Sequence, residues 1–113
     1  MSAPARGEVW LVDLNPTRGH EQAGLRPALV ISVDLFNRGP AGLIIVVPLT
    51  TRDRKVPLHV AIYPPEGGLR ARSYAKCEDV RSVSTERLTE CWGRVAAVTM
   101  RNVEDRLRIV MGL

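Results

Sequence analysis

Apolar and polar positions alternate along most of the chain, and the period of that alternation changes only near its end. Glu8 to Asn15 reads E-V-W-L-V-D-L-N, with Trp10, Val12 and Leu14 on one face and Val9, Leu11 and Asp13 on the other. Successive side chains of a strand point to opposite faces, so this segment is a strand covered on much of both. Asn15-Pro16 opens a loop, and Gly19 and Gly24 keep the backbone irregular as far as Arg26-Pro27. Residues 27–33 (P-A-L-V-I-S-V) and 43–49 (L-I-I-V-V-P-L) are short, β-branched apolar runs that suit central strands. Between them, Phe36-Asn37-Arg38-Gly39-Pro40 has the composition of a turn. Leu58, Val60 and Ile62 alternate with His59, Ala61 and Tyr63, a half-buried strand that ends at Pro64-Pro65-Glu66-Gly67-Gly68. Residues 74–83 and 92–98 supply the last strands, separated by a helical turn at Thr85-Glu86-Arg87-Leu88.

Beyond residue 98 the period becomes helical. Thr99 reads as an N-cap, Met100, Val103, Leu107, Val110 and Met111 form one stripe, and Gly112 is the stop signal. A run of short strands followed by one helix predicts a small, strongly curved antiparallel barrel capped by that helix.

Composition narrows the function classes. The 113 residues make one domain, 1–113, in which only residues 1–5 are expected to be loose. The longest apolar stretch, Gly42 to Leu49, is far shorter than the ~20 residues that span a bilayer. No signal pattern precedes Arg6, and Cys77 and Cys91 lack metal-ligand spacing, so a reduced, cytoplasmic protein without a membrane partner is expected. His20 and His59 stand in unrelated contexts, and no metal or other cofactor is expected. The net charge of +4, from 16 Lys and Arg against 12 Asp and Glu, leans toward an anionic partner. Phosphate-binding loops of the GxxxxGK[ST] and GxGxxG kinds are absent.

Three features carry chemistry. The polar loop from Asn15 to Leu25 is longer than most connections, and loops of that length often serve function. Arg26 is held extended by the following Pro27, at a strand entrance. Pro48-Leu49-Thr50-Thr51-Arg52 leaves an apolar strand with two hydroxyls and a cation, which suits a phosphodiester. Near residue 76, Lys76 and Glu78 share one strand face and Cys77 and Asp79 the other.

Taken in order, R-G-E-V-W-L-V-D-L-N-P-T-R-G-H-E-Q-A-G-L-R-P-A-L-V-I-S (residues 6–32) resembles the N-terminal signature of the MazF/PemK toxin endoribonucleases. The resemblance continues through Phe36-Asn37-Arg38, V-P-L-T-T at 47–51, C-E-D-V-R-S-V at 77–83, Thr85 to Leu88, and Gly93-Arg94-Val95. It implies a mainly β fold with helices, a small SH3-like barrel of the CcdB/PemK type with a C-terminal α-helix, acting as a homodimer. It also implies metal-independent cleavage of single-stranded RNA at short motifs. A cognate MazE-like antitoxin would block it through a disordered acidic and apolar tail, and operator DNA would be met only through that antitoxin.

Carried over by position, Arg26 matches the catalytic arginine and Thr50 the catalytic hydroxyl residue. His20 stands where members carry His or Ser, and Glu78 where many carry an acidic residue treated as a base. Lys76 replaces an arginine proposed as the acid. Glu21, Gln22, Thr51, Arg52, Lys55 and Lys76 are the residues expected to bind substrate around them. The chemistry is consistent with that set: Arg26 can grip phosphate oxygens bidentately, Thr50 can donate to the same phosphate, and either Glu78 or His20 can take the 2′ proton. The other reading is a non-catalytic toxin of the same fold that poisons DNA gyrase. With one Phe, two Tyr and two Trp, stacking is not expected to be the main way of holding RNA.

Overall fold

Strands that are apolar on both sides must be covered on both sides. The computed structural model describes residues 3–15, 19 and 23–113, and in it the chain folds back to provide that cover. The strands are β1 (Glu8–Asp13), β2 (Leu25–Val30), β3 (Leu43–Thr50), β4 (His59–Ile62), β5 (Ser73–Lys76), β6 (Arg81–Ser84) and β7 (Leu88–Arg94). They form an antiparallel sheet in the order β4-β5-β3-β2-β1-β7, with β6 also on β3. The fold is mainly β with a C-terminal helix, as expected, but the path ends at β4 and β7 without closing the barrel.

The alternation sorts the core in two. Val9, Leu29, Val47 and Leu49 face one cluster, shared with Val60, Ile62, Ala75 and Val103. Their immediate neighbours Trp10, Ala28, Val30 and Val46 face a second cluster with Val12, Ile44 and Val83. Each such aliphatic side chain contributes about 1.5–3 kcal/mol when fully buried, so a one-residue slip of register would expose one set and misplace the other. β3 is the centre of the assembly. One of its edges pairs with β2, and the other is divided between β6 (Leu43 to Val46) and β5 (Leu49 and Thr50). Pro48, which has no N–H to give, lies between the two divided segments.

Several boundaries differ from the sequence expectation. β2 begins at Leu25, so Arg26 lies inside a strand and not ahead of one. The expected turn at 36–40 is in part a single helical turn, α1 (Asp34–Asn37), whose Asn37 is buried. The Asn37 amide donates to Ser32 O and Pro4 O, both at 3.0 Å. Pro4 is buried by this anchor, so the looseness expected of residues 1–5 does not hold for Pro4 and Ala5; Met1 and Ser2 lie outside the described residues. Residues 74–83 are not continuous strand: the 3₁₀ turn Cys77–Asp79 divides β5 from β6.

The C-terminal helix, α2 (Ala97–Met111), starts before Thr99, which does not cap it. Glu66 caps it from a distance: its Oε2 accepts the Ala96 N–H at 3.0 Å and the Thr99 hydroxyl. Met100, Val103 and Leu107 dock as expected, but Val110 and Met111 stay exposed, and Gly112 ends the helix in the left-handed region. The 3₁₀ turn Glu66–Gly68 packs against β7 where glycine is required: a Cβ on Gly68 would lie 2.1 Å from Trp92 O.

Candidate functional site

The register of β2 and β3 brings two of the sequence-predicted residues together. Ala28 faces Pro48 across the pair. The same register carried two residues further sets Arg26 opposite Thr50, on one face of the sheet. Thr50 in turn faces Tyr74 of β5. Arg26, Thr50 and Tyr74 thus lie in one row across three strands at the end of the sheet.

Each member of the row is oriented locally. Arg26 is exposed, its Nε donates to Ala23 O at 3.1 Å, and among the described residues its two Nη groups meet no other acceptor, which suits them to an anion. Thr50 is nearly buried, and its Oγ1 accepts the Arg52 N–H at 3.2 Å, a bond that leaves the hydroxyl hydrogen available to donate. The long loop before β2 is closed at its base by Leu14 N–H to Gly24 O at 2.9 Å and Gly24 N–H to Asn15 Oδ1 at 3.1 Å. Arg87 braces the same corner by donating to Asp13 O at 3.2 Å and to Asn15 O. Its role is to position the loop. His20, Glu21 and Gln22 lie outside the described residues.

A cationic rim surrounds the row. Thr51, Arg52 and Lys55, the residues expected to bind substrate, are exposed on the β3–β4 connection, with Arg54 beside them. Asp53 accepts both the Lys55 N–H at 3.0 Å and its Nζ at 3.1 Å, and these bonds hold the Asp53 carboxyl below its ordinary range. The pair is exposed and therefore weak, so Lys55 can exchange it for a phosphate at little cost. Arg72 lies 5.1 Å from the centre of the Tyr63 ring, and a hydrogen bond with Tyr74 raises its pKa further.

Two expected members do not join this group. Glu78 sits in the turn beyond β5, at the end remote from Thr50, on the order of 10 Å along the chain direction. Its Oε2 is 2.8 Å from Nε2 of His59, whose side chain is buried; His59 was expected to be structural. Lys76 was expected to bind substrate, but it is buried, with Nζ 3.8 Å from Asp79, which also binds Arg81 at 2.8 Å. The cause in both cases is the register: β5 carries these residues away from the sheet end as it runs antiparallel to β3.

Sequence reading also missed several residues. Arg70 and Arg72 fall in a stretch without periodicity, and Tyr74, the first residue of the expected 74–83 strand, carries no sign of its neighbour Thr50. A cleft of ≈ 540 Å³ opens beside the row, with Pro27, Thr51, Arg70 and Trp92 among its walls. The one cue available was that Pro27 and Thr51 directly follow Arg26 and Thr50.

Comparison with known proteins shows the family and the fold. Residues 5–111 match the family described as PemK-like, MazF-like toxin of type II toxin-antitoxin system. Endoribonuclease MazF9 of Mycobacterium tuberculosis is 40% identical over 113 residues, covering 96% of each chain. Endoribonuclease EndoA of Bacillus subtilis is 33% identical over 109 residues, covering 96% of this chain and 94% of its own. The crystal structure of MazF from Deinococcus radiodurans covers 100% of both chains with a TM-score of 0.87 at 29% identity. A MazE-MazF crystal structure from the same organism matches with a TM-score of 0.81 at 29% identity, over 100% of this chain and 99% of that one.

Proposed function

The chain belongs to the PemK-like, MazF-like toxins of type II toxin-antitoxin systems, and from that membership we propose that it is an endoribonuclease that cuts single-stranded RNA at short motifs without a metal. The observation that supports the mechanism is the β2–β3 register, which, continued two residues past the Ala28–Pro48 pair, sets exposed Arg26 across from Thr50 at an open sheet end.

RNA supplies its own nucleophile. The 2′-oxygen attacks the adjacent phosphorus, the P–O5′ bond breaks, and the products are a 2′,3′-cyclic phosphate and a 5′-OH. The 2′ proton passes to a base and the departing O5′ receives a proton. Between these events the phosphorane carries two negative charges. The Arg26 guanidinium grips two of its oxygens, and Thr50 donates its hydroxyl hydrogen to the same group. Arg52 and Lys55 hold the flanking phosphates, and Thr51 contacts the nucleotide beside them. His20 is the base in this scheme, because Glu78 is engaged by His59 away from the pair. Glu21 and Gln22, on the same loop, would contact the bases next to the cut.

The protein works as a homodimer in the cytoplasm. A MazE-like antitoxin inhibits it by laying an acidic and apolar tail over the cationic rim, and operator DNA is reached only through that antitoxin. The gyrase-poison reading gains no support, since both relatives are endoribonucleases.

The test is a long RNA incubated with purified protein in EDTA, with the new ends analysed. Wild type should leave 5′-OH and cyclic phosphate ends. Arg26→Ala and Thr50→Ala should each lower the rate by about 100- to 1000-fold, the usual loss for removing one donor to a developing anion. RNA left intact by wild type, or cut equally by the variants, would refute the mechanism.

A further inference from the structure

The row of Arg26, Thr50 and Tyr74 accounts for a phosphate, but not for the cleft next to it. Pro27 and Thr51 follow Arg26 and Thr50 in sequence, so they turn to the opposite face of the sheet at the same end. There they form one wall of the ≈ 540 Å³ cleft. Trp92 of β7 forms another, half-buried, with its indole N–H donated to Glu90 Oε1 at 2.7 Å. The backbone of the Glu66–Gly68 turn presses on Trp92 through Gly68 and fixes this wall in place.

From these walls we infer that the cleft is a nucleobase subsite for the nucleotide next to the scissile phosphate, and that it selects bases carrying an amino group. The inference rests on the RNA-cleaving reading above. Three observations support it. The first is size, since the cleft falls within the range of roughly 300–1,000 Å³ typical of small-molecule sites, enough for one base with its sugar. The second is continuity and charge: the strand end that carries the phosphate-binding pair also carries one wall of the cleft, and exposed Arg70 lines its mouth. A polynucleotide crossing the rim places its phosphate on one side and the neighbouring base on the other.

The third is the pattern of acceptors. Glu90 presents carboxylate oxygens, one of which already accepts the Trp92 indole N–H. Ser73 is buried, and its hydroxyl hydrogen is committed to Ala71 O at 3.0 Å, so toward the cleft it also accepts. Next to these two acceptors the amino groups of adenine, cytosine or guanine are favoured. It disfavours the two carbonyl oxygens that flank N–H in uracil. Single-stranded RNA is commonly read in this way, by an aromatic surface together with hydrogen bonds to the base edge.

The experiment has two arms. In the first, RNAs differing by one base at each position flanking the cut are digested by wild type, Glu90→Gln, Trp92→Phe and Trp92→Ala. One flanking position should disfavour uracil in wild type. Glu90→Gln, which adds a donor, should abolish that discrimination. Trp92→Ala should lower kcat/KM by about 5- to 150-fold, the range for losing one stacked base, and Trp92→Phe should restore much of it. An identical base profile in wild type and Glu90→Gln overturns the inference while leaving the nuclease intact. In the second arm, oligonucleotides with a 2′-deoxy sugar at the cut are titrated against indole fluorescence. Quenching that depends on the base and is absent from Trp92→Phe supports the subsite even if no RNA is cut; a signal unchanged by the oligonucleotide overturns it.

Discussion

The two cysteines show how far neighbours decide what one side chain can do. Cys77 is fully buried in the core, and burial pushes its thiol up to about 12. Cys91 is exposed, although partial burial also raises its pKa. Iodoacetamide should therefore modify Cys91 in the folded protein and reach Cys77 only after denaturation, which peptide mass spectrometry can follow. The raised Cys77 value also links stability to pH. The folded state keeps the proton longer than an ordinary thiol at 9.0 does, so this contribution is complete below about pH 9. It falls as pH rises toward 12. Wild type minus Cys77→Ala, compared by urea denaturation from pH 8 to 11, should isolate that slope. At this scale the signals for Arg26 and Thr50 are local to the sequence, a proline that extends the backbone and hydroxyls at a strand exit. The surroundings of Glu78 and Lys76 were not legible there, because their partners, His59 and Asp79, are set by strand register and a tight turn.

Among the elements, α2 shows tertiary contact overriding local propensity. Thr99 has the right chemistry for an N-cap, yet the helix begins at Ala97 because Glu66 delivers a carboxylate to its N-terminus from another turn. Glu66→Ala should cost about 0.5–2 kcal/mol, the usual worth of a cap, read as a lower urea midpoint. Thr99→Ala, which removes one hydroxyl bond to the same carboxylate, should cost less. The existence of each strand was legible from alternation, and their ends were not. Leu25 joins β2 through pairing with Asp13, and the break between β5 and β6 follows from the Cys77–Asp79 turn. Neither event leaves a mark in hydrophobic period. The cleft was hidden for the same reason, since its walls come from four separate stretches of chain.

For the molecule as a whole, the open sheet and an exposed apolar surface that includes Val33 and Leu35 frame the expectation of a dimer. Sedimentation equilibrium at micromolar concentration should return twice the 12.5 kDa chain mass, and a single-chain mass would dismiss it. The division of the β3 edge has a further effect on how the fold moves. The β4–β5 hairpin is joined to β3 by two residue pairs only, Leu49 with Ala75 and Thr50 with Tyr74. Local opening draws on segments with few such attachments, so amides of β5 should exchange with deuterium sooner than those of β1 and β2. Thr50 is one of those two fastenings. Each time the hairpin lifts, the residue assigned to the phosphate loses its neighbour Tyr74, and the clock of that breathing becomes an upper bound on how long the site stays assembled.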